Sequence, residues 1–314
     1  MRRLSVVLLL VVSSLIAVPA IAGPYEDATK AYERGDHKAA FRLLKPLAEQ
    51  GMPKPQYNLG LMYSLGQGVR QDYAEAVKWY RKAAEQGHVP AQYNLGFMYS
   101  NGQGVPRDYT EAVKWYRKAA DQGNAPAQYN IGQMYASGHG VPRDDAKAVK
   151  WYRKAADQGD ASARFNLGLM YFNGQGVPLD NVEAAKWYRK AAVQGDAPAQ
   201  YNLGLMYALG QGVPQDHAEA AMWYRNAADR GDASSQFNLG LMYGIGQGVP
   251  QDYVLSHMWF SLAASRFPAS EQGRREMAGS NRDVAASKMT PAQVAEAQRL
   301  AREWKPIKGL RYAP

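Results

Sequence analysis

Cysteine is absent from this sequence of 314 residues. The chain can therefore form no disulfide, no thiolate-ligated zinc site, no cysteine nucleophile and no lipid-modified N-terminal cysteine. The Ser-x-x-Lys and Gly-x-Ser-x-Gly motifs of acyl-transfer enzymes are absent as well. Packing alone must stabilise the fold, and no motif supports nucleophilic catalysis.

Long apolar runs are equally scarce, because only the N-terminal segment carries one. A short basic start precedes the apolar run of residues 4–18, and an Ala-x-Ala site follows at residues 20–22. This order predicts a secretory signal peptide, residues 1–22, that is cleaved before Gly23. We expect an exported, periplasmic protein without a stable membrane span after cleavage. Secretion from the cell, or an uncleaved N-terminal anchor, are the alternatives.

Positive charge is in excess, but its distribution is uneven. The formal net charge is +9, and removal of Arg2 and Arg3 with the signal peptide leaves +7. Of that excess, +5 lies in residues 266–314, where ten basic residues stand against five acidic ones. A nucleic-acid-binding protein spreads its basic residues over a binding face. This distribution, together with export, argues against a nucleic-acid partner.

Internal repetition organises the rest of the sequence. Six tryptophans follow one another at intervals of 36 residues, and they define six repeat units within residues 56–266. The tryptophans are Trp79, Trp115, Trp151, Trp187, Trp223 and Trp259, and the units begin at Gln56, Gln92, Gln128, Arg164, Gln200 and Gln236. Apolar residues at helical spacing predict two helices in each unit. In the second unit these are helix A, residues 91–101, and helix B, residues 109–122, so the fold class is all-α.

The connections of each unit are explained by helix ends. Gly102 and its equivalents follow helix A, where a left-handed residue ends the helix and Gly has no Cβ to oppose it. Asp108 and its equivalents precede helix B as N-cap residues. A Glu three residues after this Asp predicts a capping box in four units: Glu75, Glu111, Glu183 and Glu219. Because a helix precedes the glycines, the Gly-x-Gly motif does not indicate a phosphate-binding loop.

The six units share the pattern A-x-x-x-L-G-x-M-Y-x-x-G-x-G-V-x-x-D-x-x-x-A-x-x-W-Y-x-x-A-A-x-x-G. This pattern closely resembles the Sel1-like repeat of the tetratricopeptide-repeat superfamily, and the resemblance covers residues 56 to about 266. It implies a right-handed α/α superhelix, a solenoid in which helix A lines the concave side. Members of this family are typically adaptors in assembling complexes, and exported bacterial members often act in the cell envelope or in contact with host cells.

Both ends of the array differ from the central units. Residues 23–55 resemble a shorter, tetratricopeptide-like helix pair, which makes about seven pairs in all. In the last unit Leu255, Met258 and Leu262 form an apolar stripe on the outer face of helix B, where the other units carry charged residues. We expect capping helices within residues 267–314 to cover this stripe, since terminal repeats need a cap, and a basic tail to follow them.

The last predicted capping helix has its own start signal and apolar stripe. Thr290 and Gln293 form a capping box with Pro291 at the first helical position. The stripe that would contact the array consists of Val294, Ala297, Ala301 and Trp304.

The exposed side of helix A is the best candidate for a functional surface. In every unit it carries an aromatic residue, then Asn, then a residue that is mostly apolar. The candidate residues are Tyr57, Asn58, Leu61, Tyr93, Asn94, Phe97, Tyr129, Asn130, Gln133, Phe165, Asn166, Tyr201, Asn202, Phe237 and Asn238. Asn and Tyr either hydrogen-bond between neighbouring repeats and set the pitch, or the Asn amides pair with an extended peptide whose side chains contact the aromatic residues. Both interpretations can hold at once.

Other chemistry has little support in the sequence. The five histidines occupy different positions of the unit, so we expect exposed side chains and no metal site. We predict a non-enzymatic scaffold of the cell envelope that binds a protein or peptide and needs no cofactor. A peptidoglycan or glycan binder is the first alternative, with the Tyr residues as stacking platforms. A weak β-lactam hydrolase is the second, although the paired cysteines of the related β-lactam-binding repeat proteins are missing. The oligomeric state stays open.

Overall fold

The structure is a computed structural model that describes residues 22–307. These residues form sixteen α-helices and one 3₁₀ helix. Their bounds are α1 Ala22–Glu33, α2 His37–Glu49, α3 Pro53–Leu65, α4 Tyr73–Glu85, α5 Val89–Asn101, α6 Tyr109–Asp121, α7 Ala125–Ser137, α8 Asp145–Asp157, α9 Ala161–Asn173, α10 Asn181–Ala192, α11 Ala197–Leu209, α12 His217–Ala228, α13 Ala233–Ile245, α14 Tyr253–Arg266, the 3₁₀ helix Ala269–Glu271, α15 Gln272–Ala286 and α16 Pro291–Glu303.

Two compact units divide the chain, Met1–Arg107 and Asp108–Pro314. The odd-numbered helices up to α13 are the A helices of seven repeats, and the even-numbered helices up to α14 are the B helices. Within each unit, every helix of this series packs mainly against its neighbours in the sequence. Such stepwise packing defines an α/α solenoid, which confirms the predicted all-α fold with about seven helix pairs.

The helix ends follow the predicted signals, with one correction. Gly102 ends α5 with φ of 69°, and the Asp108 carboxylate accepts hydrogen bonds from the amides of Thr110 and Glu111 at the start of α6. The prediction that the Glu side chain returns to the cap is wrong. The Glu111 carboxylate instead accepts from Lys114 Nζ at 2.5 Å, because a cation one turn away competes better than a neutral amide.

The other three units with this Glu behave in a comparable way. Glu75 and Glu183 pair with lysines three residues later, Lys78 and Lys186. Glu219 lacks such a lysine, and its carboxylate accepts from Trp223 Nε1 at 3.2 Å. The one reciprocal capping box of the described residues is the predicted one at the start of α16, between Thr290 and Gln293.

Close packing inside a repeat depends on a glycine of helix A and a tyrosine of helix B, a pairing that the sequence pattern did not specify. The glycine of helix A faces the tyrosine of the Trp-Tyr pair on helix B. A Cβ added to Gly168 would lie 2.7 Å from Cδ1 of Tyr188. The neighbouring Trp187 lies under the Lys190 ammonium, with Nζ 3.8 Å from the ring centroid. The tyrosine therefore fills the seam, while the tryptophan takes part in a cation–π contact nearer the surface.

The C-terminal helices cover the last repeat as predicted. Both α15 and α16 pack against α14, where Met258 and Leu262 are buried. Ala297 of α16 is fully buried, and the Trp304 ring lies 6.4 Å from that of Trp259. These contacts confirm the C-terminal helical cap.

Four of the five histidines are not exposed, contrary to the prediction: His37, His88 and His217 are half-buried, His257 is buried, and His139 alone is exposed. His257 on α14 is 3% exposed. Burial lowers its pKa, and Arg282 of α15 lowers the pKa further, while Asp283 acts in the opposite direction. Helix α15 of the cap brings these groups close to His257, and the sequence pattern of α14 alone did not predict the burial of this side chain.

Two predictions fall outside the described residues. The signal peptide, residues 1–22, lies outside them except for Ala22, and so does the basic tail beyond Ile307. No helix within residues 22–307 is long and apolar enough to span a bilayer.

Candidate functional site

The candidate residues lie on the A helices of both units. We call this surface the helix-A face; its members are the fifteen candidate residues named from the sequence. In the first unit they lie on α3 and α5, and in the second on α7, α9, α11 and α13. Most are half-buried, whereas Phe97 and Gln133 are exposed. The face is therefore reachable from solvent while its aromatic rings are partly packed.

Hydrogen bonds connect the Asn residues to the tyrosines of the preceding repeat. Asn58 Nδ2 donates to the Tyr25 hydroxyl at 3.2 Å, and Asn166 Nδ2 donates to the Tyr129 hydroxyl at 3.4 Å. Asn94 and Asn238 interact with Tyr57 and Tyr201 of their preceding repeats and act to lower the pKa of each tyrosine. Bonds between neighbouring repeats, as the first interpretation requires, are thus present in both units. Each amide also carries an oxygen that can accept, so these bonds leave the binding interpretation open.

The tyrosines of the face are held from a second side by helix B. The Tyr129 ring lies 5.8 Å from the Tyr152 ring, and the Tyr201 ring lies 6.0 Å from the Tyr224 ring. Burial raises the pKa of Tyr129 and also that of Tyr152, its neighbour on helix B. The phenols are therefore neutral hydrogen-bonding groups at physiological pH, and the face is fixed before any partner binds.

Formal charge is scarce on this surface. The A helices α5, α7, α11 and α13 contain no charged residue, and α9 contains only Arg164. The Arg164 guanidinium is engaged with the structure, since Nε donates to the Ala156 carbonyl at 3.0 Å. The helix-A face thus offers aromatic, amide and aliphatic groups rather than ions. Protein interfaces are enriched in aromatic side chains and depleted of Lys, Glu and Asp at their centre.

Two cavities adjoin the face. One of about 420 Å³ lies in the first unit, next to Asn58 and Leu61. The other, of about 240 Å³, lies in the second unit between Tyr201, Phe237 and Asn238 and the start of α15. The cavities add residues that the sequence did not single out: Tyr25, Ala28, Thr29, Tyr32, Glu33 and Leu44 in the first, and Ser234, Phe267, Arg274 and Met277 in the second.

A buried polar column was also missed. Gln128 begins its repeat, and its Nε2 donates at 3.0 Å to the Ala120 carbonyl at the end of α6. Gln158 Nε2 in turn donates to Gln128 Oε1 at 2.7 Å. These side chains satisfy carbonyls that a helix C-terminus leaves free. The available signal was Gln at the first position of five units of the six. The role of this column is structural, so the helix-A face stays the candidate site.

His88 connects helix capping to the face and predicts a dependence of stability on pH. Its Nδ1 accepts from the Ala91 amide at 3.3 Å, and its ring lies 4.8 Å from that of Tyr57. Burial lowers the His88 pKa below 6.5, and Lys54 lowers it further. A histidine with a lowered folded pKa binds protons more readily in the unfolded chain. The stability that His88 supports is therefore complete above about pH 6.5 and is lost as the pH falls toward the folded pKa.

We expect His88→Asn to reduce the loss of unfolding free energy on acidification by about 1 kcal/mol, the usual contribution of an N-cap. Asn124 at the equivalent position accepts from Ala127 N at 2.9 Å, and an amide does not titrate. The measurement is the urea midpoint of wild type and variant at about pH 7.5 and about pH 5.5. An equal acid shift in both proteins would contradict the assignment.

The described part of the chain contains no cluster of side chains that could bind a metal ion. Within residues 22–307 no group of three or more Asp, Glu or His side chains could hold a metal ion. The observed geometry is that of a repeat solenoid whose helix-A face consists of uncharged residues.

Repeated A and B helices, glycine-ended loops and the helix-A face define a solenoid of the tetratricopeptide-like class. The Sel1 repeat family model matches seven segments of the chain: residues 25–52, 56–88, 89–124, 125–160, 161–196, 197–232 and 233–266. The chain belongs to the Sel1 repeat family, whose repeats generally mediate protein–protein interaction. The match to residues 25–52 lies within residues 23–55, which we predicted as a shorter tetratricopeptide-like helix pair, so this pair is a seventh Sel1 repeat.

Solved structures agree with this assignment. A Sel1 repeat protein from Oxalobacter formigenes is 35% identical over 76% of this chain and 96% of that chain, with a TM-score of 0.67. A protective antigen present in uropathogenic Escherichia coli strains, displaying an SLR fold, is 29% identical over 90% of this chain and 83% of its own, with a TM-score of 0.50. Comparison with curated protein sequences gave no match.

Proposed function

We propose that this chain is a non-enzymatic scaffold of the bacterial cell envelope that binds a protein or peptide partner on its helix-A face. The observation that carries the proposal is the composition of that face: half-buried aromatic rings, amides and aliphatic side chains, without formal charge on α5, α7, α11 or α13. Rings fixed by neighbouring repeats lose little conformational entropy on binding, so a partner gains more from each contact.

An extended peptide suits the spacing of these groups. Aromatic and aliphatic side chains recur once per repeat, and an amide stands beside each aromatic residue. Amides both donate and accept, as peptide backbone requires. The envelope location rests on the predicted signal peptide. The absence of catalytic activity rests on the lack of a nucleophile motif and on the general role of the repeat family.

Exposed apolar residues allow a test that separates binding from folding. Phe97 belongs to the helix-A face, and Leu241 holds the equivalent position on α13; their side chains are 42% and 38% exposed. Met222 and Val182, on B helices, are 45% and 52% exposed and serve as matched controls. We expect Phe97→Ala with Leu241→Ala to lower partner capture from envelope extract at least about tenfold, since interface anchors contribute more than 1 kcal/mol each. Thermal unfolding should shift little, because exposed side chains contribute little to stability.

The controls and competing functions give opposite outcomes. Met222→Ala with Val182→Ala should capture the partner like wild type. Equal capture by both double variants would contradict binding through the helix-A face. Retention on purified peptidoglycan without any captured protein would support the glycan-binding alternative, and turnover of a chromogenic β-lactam would contradict the non-enzymatic assignment.

A further inference from the structure

The cavity of about 420 Å³ in the first unit is built by α1, α2 and α3. Its size falls within the range of roughly 300–1,000 Å³ that is typical of ligand sites. Ala28 and Leu44 are buried at its walls, and Leu61 and the rings of Tyr25 and Tyr32 complete the apolar lining. The cavity is thus a mostly apolar depression rather than a polar cleft.

The hydroxyl groups of the cavity walls are hydrogen-bonded within the protein, which holds the walls in place. Tyr25 accepts from Asn58, and the Tyr32 hydroxyl donates to Gln67 Oε1 at 2.5 Å. The Thr29 hydroxyl donates to the Tyr25 carbonyl at 3.0 Å. Two aromatic rings are therefore held in place around an open apolar volume.

Glu33 is the one formal charge that lines this cavity. Its side chain is exposed, and among the described residues it has no hydrogen-bond or ion-pair partner. The surrounding helix adds to the negative potential. Helix α1 carries Glu26, Asp27 and Glu33 against Lys30, a net charge of −2 in a chain whose total is +9.

The first repeat differs from the others at the two positions that matter. The bond between Asn58 and Tyr25 aligns α1 with α3, so Thr29 corresponds to Leu61 and Glu33 to Leu65. In the other repeats the Thr29 position carries a larger residue: Leu61, Phe97, Gln133, Leu169, Leu205 or Leu241. None of them has a carboxylate at the Glu33 position. The smaller Thr29 opens the cavity, and Glu33 charges its rim.

We propose that this cavity binds a lysine or arginine side chain of the protein partner. The inference rests on the proposed function, because Asn58 and Leu61 belong both to the cavity and to the helix-A face. The aliphatic stem of the partner side chain packs against Leu44 and Leu61. The cationic head lies beside the tyrosine rings and pairs with Glu33. An acidic or polyanionic partner is disfavoured by the charge of α1.

The test uses N-acetyl-argininamide as a probe and the full mature chain as the receptor. Methyl NMR signals of Leu44 and Leu61 report on the cavity directly. We expect both to shift on titration, with N-acetyl-norleucinamide, which lacks the charge, binding several-fold more weakly. Glu33→Gln should weaken the arginine probe about three- to tenfold, as expected for a partly exposed charge pair. Glu85→Gln, an exposed carboxylate on α4, is the matched control and should change nothing.

A second variant tests the cavity itself. Thr29→Leu introduces the residue that four other repeats carry at this position: Leu61, Leu169, Leu205 and Leu241. Because Thr29 is exposed, the fold should be retained while the cavity fills. We expect loss of the probe shifts and at least several-fold weaker capture of the protein partner.

The outcomes separate this inference from the proposed function. Absent shifts at Leu44 and Leu61, or equal binding of the norleucine probe unaffected by Glu33→Gln, would overturn the inference. If partner capture still depended on Phe97 and Leu241, the proposed function would stand alone. Arginine-probe binding combined with unchanged partner capture by Thr29→Leu would mean that the cavity takes a free small cation, which also overturns it.

Discussion

Replacement of Gly140 by Ala is expected to lower the free energy of unfolding by about 3–5 kcal/mol, at the upper end of single-residue effects. Gly140 is the second glycine of a Gly-x-Gly loop and has φ of 70°. A Cβ added there would lie 2.3 Å from the Tyr109 carbonyl oxygen and 2.8 Å from the Thr110 amide nitrogen. Both atoms belong to the backbone at the start of α6, so neither can rotate away as a side chain could.

This close approach recurs along the array. Within the first unit, Gly104 meets the backbone of Tyr73, and within the second, Gly176 meets that of Asp145. Each loop after helix A therefore lies against the start of helix B in the preceding repeat. The first glycine of the motif ends a helix, whereas the second is required by the contact between two repeats.

Gly123→Ala is the matched control for the Gly140 variant. Gly123 also has a positive φ, 90°, but a Cβ there would meet nothing within 4 Å. Only the left-handed backbone opposes the substitution, which costs about 1–2 kcal/mol. Urea unfolding followed by circular dichroism compares the midpoints, since long repeat arrays depart from two-state behaviour. Equal midpoint shifts for the two variants would contradict a role for the backbone contact.

Trp259→Ala is expected to cost about 3–5 kcal/mol, the range for a buried aromatic side chain. Trp259 is 1% exposed and lies in the core that joins the last repeat to the cap. The Trp304 ring is 6.4 Å from its ring, and Arg225 Cζ lies 5.3 Å from its centroid. Its removal leaves a cavity at the junction of α14 and α16, which should loosen the cap together with the repeat.

Trp151→Ala provides the comparison, because Trp151 occupies the same position of an earlier repeat. It is half-buried, and Lys154 Nζ lies 4.2 Å from its ring centroid. We expect a loss of roughly 1–2 kcal/mol, in proportion to the smaller buried area. Thermal unfolding and dye binding to exposed apolar surface are the measurements. An equal loss for both variants would show that the cap adds nothing to the packing of Trp259.

Several features followed from the sequence because their causes are local. The 36-residue period, the Asp residues before helix B and the glycine after helix A report on helix periodicity and helix ends, which depend on neighbours within a few residues. The apolar stripe of α14 also predicted its cap, because exposed Met258 and Leu262 would need cover. These features determined an all-helical repeat solenoid with a capped C-terminus.

Other features required the tertiary structure because distant residues decide them. His257 is buried where α15, a helix that follows it in the sequence, packs against α14. Likewise, the cavity beside Glu33 exists because Thr29 leaves space between α1 and α3. Packing between helices decided both features, and the sequence pattern of one helix does not identify the helix that packs against it.

The sequence by itself therefore determined the repeat, the helix ends and the residues of the helix-A face. Only the tertiary structure decided that contact with the backbone of the preceding repeat requires the second loop glycine. It also decided that Asn and Tyr form hydrogen bonds between neighbouring repeats, and that a cavity lined by Glu33 adjoins the helix-A face in the first unit. The physical reason is the range of the interactions: capping and periodicity act within one helix, whereas steric fit and cavities arise from residues that folding brings together.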